Sequence, residues 1–195
     1  MNFLAFGMYV IITTFTPGPN NLMAMSNGLH TGFRRTIRFL FGVFAGFIVV
    51  MSVCALANFA FMKLLPSIHV WLNWFGAAYM IYLAIHVMRS KPHLEAENEG
   101  LNTFAAGFTM QLINPKAILY GITVFSNFII PTYQSIPQLV LFAMLLASIA
   151  LVATSCWAYF GVIFRTFFSR YDHLINIAMG LLLIYTAVAS LDLWH

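Results

Sequence analysis

A lysine interrupts an otherwise apolar stretch of this sequence, where a charged side chain is costly and can do chemistry. Lys116 follows Asn114 and Pro115 within "FAAGFTMQLINPKAILYGITVF", a run that in other respects suits a membrane helix. An ammonium near the centre of a bilayer costs at least about 2.5 kcal/mol on insertion scales and marks a functional site by default. We expect Lys116 to bind the carboxylate of a small molecule. The alternative is that it pairs with backbone carbonyls and only holds the chain together.

A second break lies in the first apolar run, which contains "TPGPNN", a pattern typical of a turn. Amides accompany both breaks, and they can bind a polar ligand or satisfy the broken backbone equally well. These amides are Asn20, Asn21, Gln111 and Asn114. The residues that break the helices are expected to shape the site rather than to contact a ligand through their side chains. They are Pro17, Gly18, Pro19 and Pro115.

Each break creates two helix ends at mid-depth. The half-helices that begin near Pro19 and Lys116 present N–H groups, which favour a carboxylate. The halves that precede them end in free carbonyls, which favour an ammonium. Together the two breaks offer both poles of an amino acid. No Asp or Glu lies deep in any apolar run, since Asp172 and Asp192 are near run ends. The sequence therefore favours small neutral amino acids over cationic ones, and it leaves proton coupling without an evident carrier.

The composition predicts an all-α integral membrane protein. Hydrophobic residues make up 62% of the 195 residues and charged residues only 7%, whereas a soluble domain carries about 25% charged residues. At about 20 residues a span, the length allows roughly six helices. The apolar runs are 3–29, 37–62, 68–88, 104–130, 138–164 and 174–191.

The spacing of the two breaks predicts one membrane domain, 1–195, built from two halves. Three helices fall in 1–90 and three in 104–195, and 91–103 forms a hydrophilic connecting loop. Because each half has an odd number of spans, the second half enters the membrane from the opposite face. Helices 1 and 4, both broken, then occupy matching positions in an inverted repeat. This arrangement is the best sequence indication of a transporter site.

The basic residues predict the orientation of the chain. Most of them fall in the first, third and fifth connectors: Arg34, Arg35, Arg38, Arg89, Lys91, Arg165 and Arg170. Only Lys63 falls in a connector on the other side. These three connectors, including 91–103, are therefore expected in the cytoplasm and both termini outside it. Because the basic residues lie at segment ends rather than in one patch, we expect no nucleic-acid partner.

The two motifs resemble those of a known family. "TPGPNN", a glycine-containing second run ("RFLFGVFAGF") and "INPKAIL" in the fourth run resemble the lysine-exporter and homoserine/threonine-efflux family of bacterial amino-acid exporters. The resemblance covers the whole chain. It implies a multi-pass protein of the bacterial inner membrane that exports amino acids, driven by the proton gradient as an antiporter. It narrows the substrate to cysteine, O-acetylserine and similar compounds, which nothing in the spacing singles out.

Two other functions remain open at this stage. Cys54 and Cys156 lie in runs that correspond in the proposed repeat, so a membrane thiol–disulfide electron carrier is one alternative. No basic residue adjoins either cysteine, and burial as small apolar residues is favoured. An anion-selective pore lined by Lys116 is the other. Gly42 and Gly46 are expected to serve close helix packing. No catalytic residue, metal site or cofactor is predicted, and the oligomeric state stays open.

Overall fold

The computed structural model describes residues 2–61 and 102–164, together with positions 74, 78, 81, 85, 88, 174, 177, 178, 180, 181 and 184. All the elements in this part of the chain are helical. They are α1 (Phe3–Phe15), α2 (Pro19–Thr31), α3 (Phe33–Phe61), α4 (Phe104–Leu112), α5 (Pro115–Val124), a π-helical turn (Phe125–Ile129) and α6 (Ile136–Ile163). The predicted runs 68–88 and 174–191 and most of the loop 91–103 lie outside the described residues. The six-span count, the two halves and the inverted repeat therefore stay predictions.

Both predicted helix breaks are confirmed. The first separates α1 from α2 at residues 16–18, and the second separates α4 from α5 at residues 113–114. Pro19 and Pro115 each occupy the first turn of the helix that follows, where a missing N–H does no harm. With 13 residues, α1 and α2 are each about 20 Å long. Each half-helix thus reaches part of the way across a bilayer core of about 30 Å.

Two unbroken helices, α3 and α6, are long and apolar enough to cross a membrane, with mean hydropathies of 2.6 and 2.4 in the part of the chain that is described. The second apolar run was predicted to begin at residue 37, but α3 begins at Phe33. The prediction followed apolarity, whereas the helical backbone extends through the arginines that precede the apolar residues. Gly32, with φ of 82°, makes the sharp turn from α2, because left-handed φ is unfavourable for residues with a Cβ.

The π-helical turn after α5 is supported by two side chains that bind the Ile122 carbonyl. Asn58 Nδ2 donates to this oxygen across the α3–α5 interface at 3.3 Å, and Ser126 Oγ donates to it at 2.7 Å. A change of helical register disturbs the regular backbone ladder. Within a membrane, carbonyls freed in this way need other donors, and Asn58 and Ser126 provide them here.

The buried side chains form two clusters. One joins the later part of α3 to α5 and to residues 139–150 of α6, and includes Phe6 and Val10 of α1. The other joins α2 and the first part of α3 to Met110 of α4 and Ala158 of α6. Because the early part of α3 meets the late part of α6, these two helices run antiparallel. The two clusters meet at the level of the helix breaks.

Glycines let the helices of the second cluster approach each other closely. A Cβ on Gly28 would overlap the Ala158 carbonyl of α6, and a Cβ on Gly161 would overlap the Met25 carbonyl of α2. In the same way, a Cβ on Gly42 of α3 would overlap the backbone of α4, and a Cβ on Gly107 of α4 would overlap the backbone of α3. A Cβ on Gly46 would lie 2.9 Å from Gln111 Cβ. The expectation that Gly42 and Gly46 serve packing within the chain is confirmed.

The outward faces of α1 and α6 expose large apolar side chains. Leu4, Ile136 and Leu141 are 74%, 67% and 68% exposed. An apolar surface of this extent is unusual on a soluble monomer. It agrees with an integral membrane protein whose helices face lipid.

We predict that Gly28→Ala destabilises the protein by about 1–3 kcal/mol, because its Cβ has no room beside the α6 backbone. The matched control is Gly7→Ala on α1, where a Cβ meets nothing within 4 Å. That change should leave stability unaltered or raise it slightly through helix propensity. Thermal unfolding in detergent provides the measurement. Equal melting temperatures for Gly28→Ala and the unmodified protein would contradict the close α2–α6 contact.

Candidate functional site

The Lys116 side chain joins the two helix breaks. Its Nζ donates to the carbonyl of Thr16 at 2.8 Å and to that of Pro17 at 3.2 Å. Gly18 makes room for it, since a Cβ there would lie 2.9 Å from Lys116 Cδ. The pairing with carbonyls that the sequence raised as an alternative is therefore present. An ammonium has three N–H donors, so these two bonds leave one donor for a further partner.

The carbonyls that end α1 are bound by side chains. Asn21 Nδ2 donates to Thr14 O at 2.9 Å and to Thr16 O at 3.0 Å. Trp157 Nε1 of α6 donates to Phe15 O at 3.1 Å. With the two Lys116 bonds, every carbonyl from residue 14 to residue 17 accepts a hydrogen bond. The expectation that these carbonyls are free for an ammonium was wrong, because the protein satisfies them itself.

The two half-helices that follow the breaks differ at their N-termini. In α5, Asn114 Oδ1 accepts from Lys116 N and the Asn114 carbonyl accepts from Ala117 N, both at 3.1 Å. The expectation of a free anion site at this end was therefore wrong. In α2, Gly18 provides no side-chain cap. The first bond of α2 runs from Leu22 N to Gly18 O at 2.9 Å, so the N–H groups before Leu22 are the orphans of this helix.

The four predicted amides have different roles. Asn21 and Asn114 bind backbone groups at the two breaks. Asn20 Nδ2 donates to Gln111 Oε1, which ties α2 to α4 in the interior. Asn20 Oδ1 and Gln111 Nε2 are buried and have no hydrogen-bond partner among the described residues. Of the four, Asn20 is thus the one that brings an unused acceptor to the junction of the breaks.

A cavity lies at this junction. It offers about 50 Å³ to the centres of water molecules, which is room for a few waters at about 10–15 Å³ each. Its lining residues come from both breaks and from the two long helices: Thr13, Thr14, Gly18, Asn20, Asn21, Val43, Phe47, Asn114, Lys116, Ala117, Tyr120, Ala150 and Thr154. Of Lys116 and the four predicted amides, Gln111 is the one that is not on this wall, and of the four residues predicted to break the helices, Gly18 is the one that is.

Two hydroxyls on the cavity wall were missed by the sequence analysis. Thr14 and Tyr120 line the cavity, their buried oxygens face each other, and neither oxygen has a further partner among the described residues. Tyr120 follows Lys116 by four residues and so shares its face of α5. That spacing is the signal that could have identified it. Buried hydroxyls usually have more than one partner in native proteins, so this pair is a candidate for ligand contact.

The opposite wall of the cavity is apolar. Val43 and Phe47 of α3 and Ala150 of α6 line it. Thr154 adds a hydroxyl whose proton is bound to the Ala150 carbonyl at 2.8 Å, so its oxygen is left to accept. The cavity therefore combines donors on one side with a small apolar wall on the other. This arrangement suits a small molecule that has a charged polar end.

The two cysteines do not form a redox pair. Both are free, with Cys54 buried and Cys156 exposed. Cys54 packs with residues 139–150 of α6, whereas Cys156 lies near the other end of that helix. The two thiols therefore lie at different levels of α6. The part of the chain that the structure describes also contains no group of three or more His, Cys, Asp or Glu able to hold a metal ion.

Comparison with known proteins agrees with this geometry. The family model described as "LysE type translocator" matches residues 11–191. The chain is 39% identical over 188 residues to the cysteine/O-acetylserine efflux protein of Escherichia coli O1:K1, and 94% of each chain is covered. It is also 39% identical, at the same coverage, to the proteins of that name in E. coli K12 and Shigella flexneri serotype 5b. No solved structure matches. The resemblance drawn from the two motifs is confirmed.

We predict that Asn21→Leu destabilises the protein by about 1–3 kcal/mol, because the Thr14 carbonyl then loses its side-chain donor. Asn27→Leu is the matched control on the same helix. Asn27 is also buried, but its Nδ2 has no partner among the described residues. That change should be neutral or stabilising. Unfolding in detergent checks both, and similar losses in the two variants would contradict a specific role for Asn21.

Proposed function

The chain belongs to the LysE type translocator family, and from this premise we propose that it exports cysteine, O-acetylserine and similar small neutral amino acids. Membership of the family makes it an amino-acid transporter and not an enzyme. The relatives at 39% identity are named as efflux proteins for these two compounds. The bacterial inner membrane is the location that such a function requires. The observation that carries the proposal is the cavity between the two helix breaks.

The carboxylate of the substrate binds, in our proposal, beside Lys116. The third N–H of the ammonium and the Thr14–Tyr120 hydroxyl pair, which keeps one proton when one hydroxyl donates to the other, are donors that a carboxylate can accept from. The uncapped N-terminus of α2 adds a favourable dipole at the same wall. Lys116 would thus both hold the breaks together and contact the substrate, which combines the two roles that the sequence left open.

The ammonium of the substrate binds acceptors on α1 and α2. Asn20 Oδ1 is buried, borders the cavity and has no partner among the described residues. The Thr13 carbonyl is a second acceptor on the wall, because Pro17, four residues on, has no N–H to donate to it. In our proposal these two oxygens bind the ammonium in place of the carbonyls of residues 14–17, because those carbonyls already accept hydrogen bonds from side chains of the protein.

The side chain of the substrate faces the apolar wall. Val43, Phe47 and Ala150 leave a small space there. The described residues contain no Asp or Glu, so a cationic side chain would find no carboxylate partner in this part of the chain. Small neutral side chains, such as those of cysteine and O-acetylserine, suit this wall better than those of lysine or arginine.

Substrate binding would act on the junction of the two breaks. A carboxylate bound to the third N–H shares the Lys116 ammonium with the Thr16 and Pro17 carbonyls and weakens its bonds to them. Occupancy of the cavity would in this way loosen α5 from the end of α1, and one half of the protein could rock against the other. Export driven by the proton gradient, with both termini in the periplasm, completes the proposal.

We predict that Lys116→Met lowers efflux of labelled cysteine from preloaded vesicles about tenfold or more, since it removes a charged hydrogen-bond donor. Tyr120→Phe should lower it severalfold. Tyr133→Phe is the matched control, because Tyr133 does not line the cavity. Normal efflux by Lys116→Met at equal membrane abundance would exclude Lys116 from the binding site. External unlabelled cysteine should stimulate efflux from a carrier, whereas no stimulation would indicate a pore.

We predict that Cys54→Ser/Cys156→Ser keeps the efflux activity of the unmodified protein, because neither thiol lines the cavity. The same vesicle assay measures this, with O-acetylserine as a substrate that carries no thiol. Loss of efflux with an unchanged melting temperature would instead support a redox role for the thiols.

A further inference from the structure

A second, larger cavity lies between the beginnings of α3 and α4, away from the helix breaks. It has a volume of about 880 Å³. Its lining residues are Thr31, Arg34, Arg35, Arg38, Asn102, Thr103, Phe104 and Ala105. Asn102 Nδ2 donates to Thr31 Oγ1 at 2.7 Å and ties the end of α2 to the approach to α4. This hydrogen bond directly joins the two walls of the cavity that Thr31 and Asn102 form.

The electrostatic potential of this cavity is positive. Arg34, Arg35 and Arg38 occupy the first turns of α3, where the helix dipole is already positive and a cation is unfavourable. The N-terminus of α4 at the same cavity is capped, because the Thr103 side chain accepts from Ala106 N at 3.1 Å, so the arginines provide the positive charge. An anion bound in the cavity would relieve the repulsion.

Phe104 is the large apolar side chain that lines this cavity, and further aromatic rings continue the apolar surface beyond it. Phe104 is 49% exposed and stacks on Phe108, with ring centroids 6.1 Å apart. Phe41 of α3 is 51% exposed and follows Arg34 by seven residues and Arg38 by three, so it shares their face of the helix. Exposed aromatic rings do not contribute to the binding of a free inorganic anion. A lipid needs both features, because its headgroup carries the charge and its acyl chains need an apolar surface.

We propose that this cavity binds the phosphate-bearing headgroup of an anionic phospholipid. The three arginines hold the phosphate, and the acyl chains lie along Phe104, Phe108 and Phe41. Basic pockets between membrane helices bind such headgroups on general electrostatic grounds. This site is independent of the amino-acid cavity, and either proposal can fail without the other.

The test compares lipid retention by the purified full-length chain. The protein is exchanged into mixed micelles with equal amounts of phosphatidylglycerol and phosphatidylcholine, and bound lipids are counted by native mass spectrometry. We expect phosphatidylglycerol to be enriched. The variant Arg34→Gln/Arg35→Gln/Arg38→Gln should lose this enrichment about tenfold or more. Arg34→Gln alone should reduce it severalfold and serves if the triple variant does not fold.

The control variant removes the same charge elsewhere. Arg89→Gln/Lys91→Gln/Arg165→Gln changes three basic residues predicted for the same side of the membrane, and it should retain the enrichment. An equal loss of phosphatidylglycerol enrichment in both triple variants would show that general surface charge causes the enrichment, and this would overturn the proposal. Absence of enrichment in the unmodified protein would overturn it as well. So would displacement of the lipid by a few millimolar inorganic phosphate, which would indicate a phosphate site.

Discussion

Backbone groups freed at the helix breaks cannot be satisfied by lipid, and the arrangement of the described helices follows from this constraint. Every carbonyl from residue 14 to residue 17 accepts from a side chain. The donors come from α2, α5 and α6: Asn21, Lys116 and Trp157. Three helices are thereby held at one point. The break interrupts the backbone hydrogen bonds of the helix, and it is also the place where side-chain hydrogen bonds join α1 to three other helices.

The same constraint acts unequally on the two breaks, and the difference is the basis for the ligand position that we propose. The second break is closed locally, because Asn114 caps α5 with its own side chain and carbonyl. The first break is closed at its carbonyl end only, since Gly18 cannot cap α2. Polar groups without further partners therefore collect on the side of α2, where Asn20 and the hydroxyls of Thr14 and Tyr120 meet the cavity.

Close packing through glycines fixes the depth of this junction. The reciprocal contacts of Gly28 and Gly161 set the position of α2 on α6, and those of Gly42 and Gly107 set α4 on α3. By contrast, α1 buries only Phe6 and Val10. The half-helices α2 and α4 are thus held firmly, whereas α1 has few interior contacts of its own. Movement of α1 about the Lys116 bridge is the change that this packing opposes least.

The sequence by itself determined the helical membrane class, the two breaks, the family and the importance of Lys116, because hydropathy, proline and charge act locally and leave a pattern in the chain. Tertiary structure alone decided which groups remain for a ligand. The Thr16 carbonyl accepts a hydrogen bond from a lysine 100 residues away, and the Phe15 carbonyl accepts one from a tryptophan 142 residues away. Pairings over such distances leave no local pattern in the sequence. Tyr120 is an intermediate case between features visible in the sequence and features that only the tertiary structure shows. Its spacing from Lys116 was visible, but only the tertiary structure brings it beside Thr14 at the cavity.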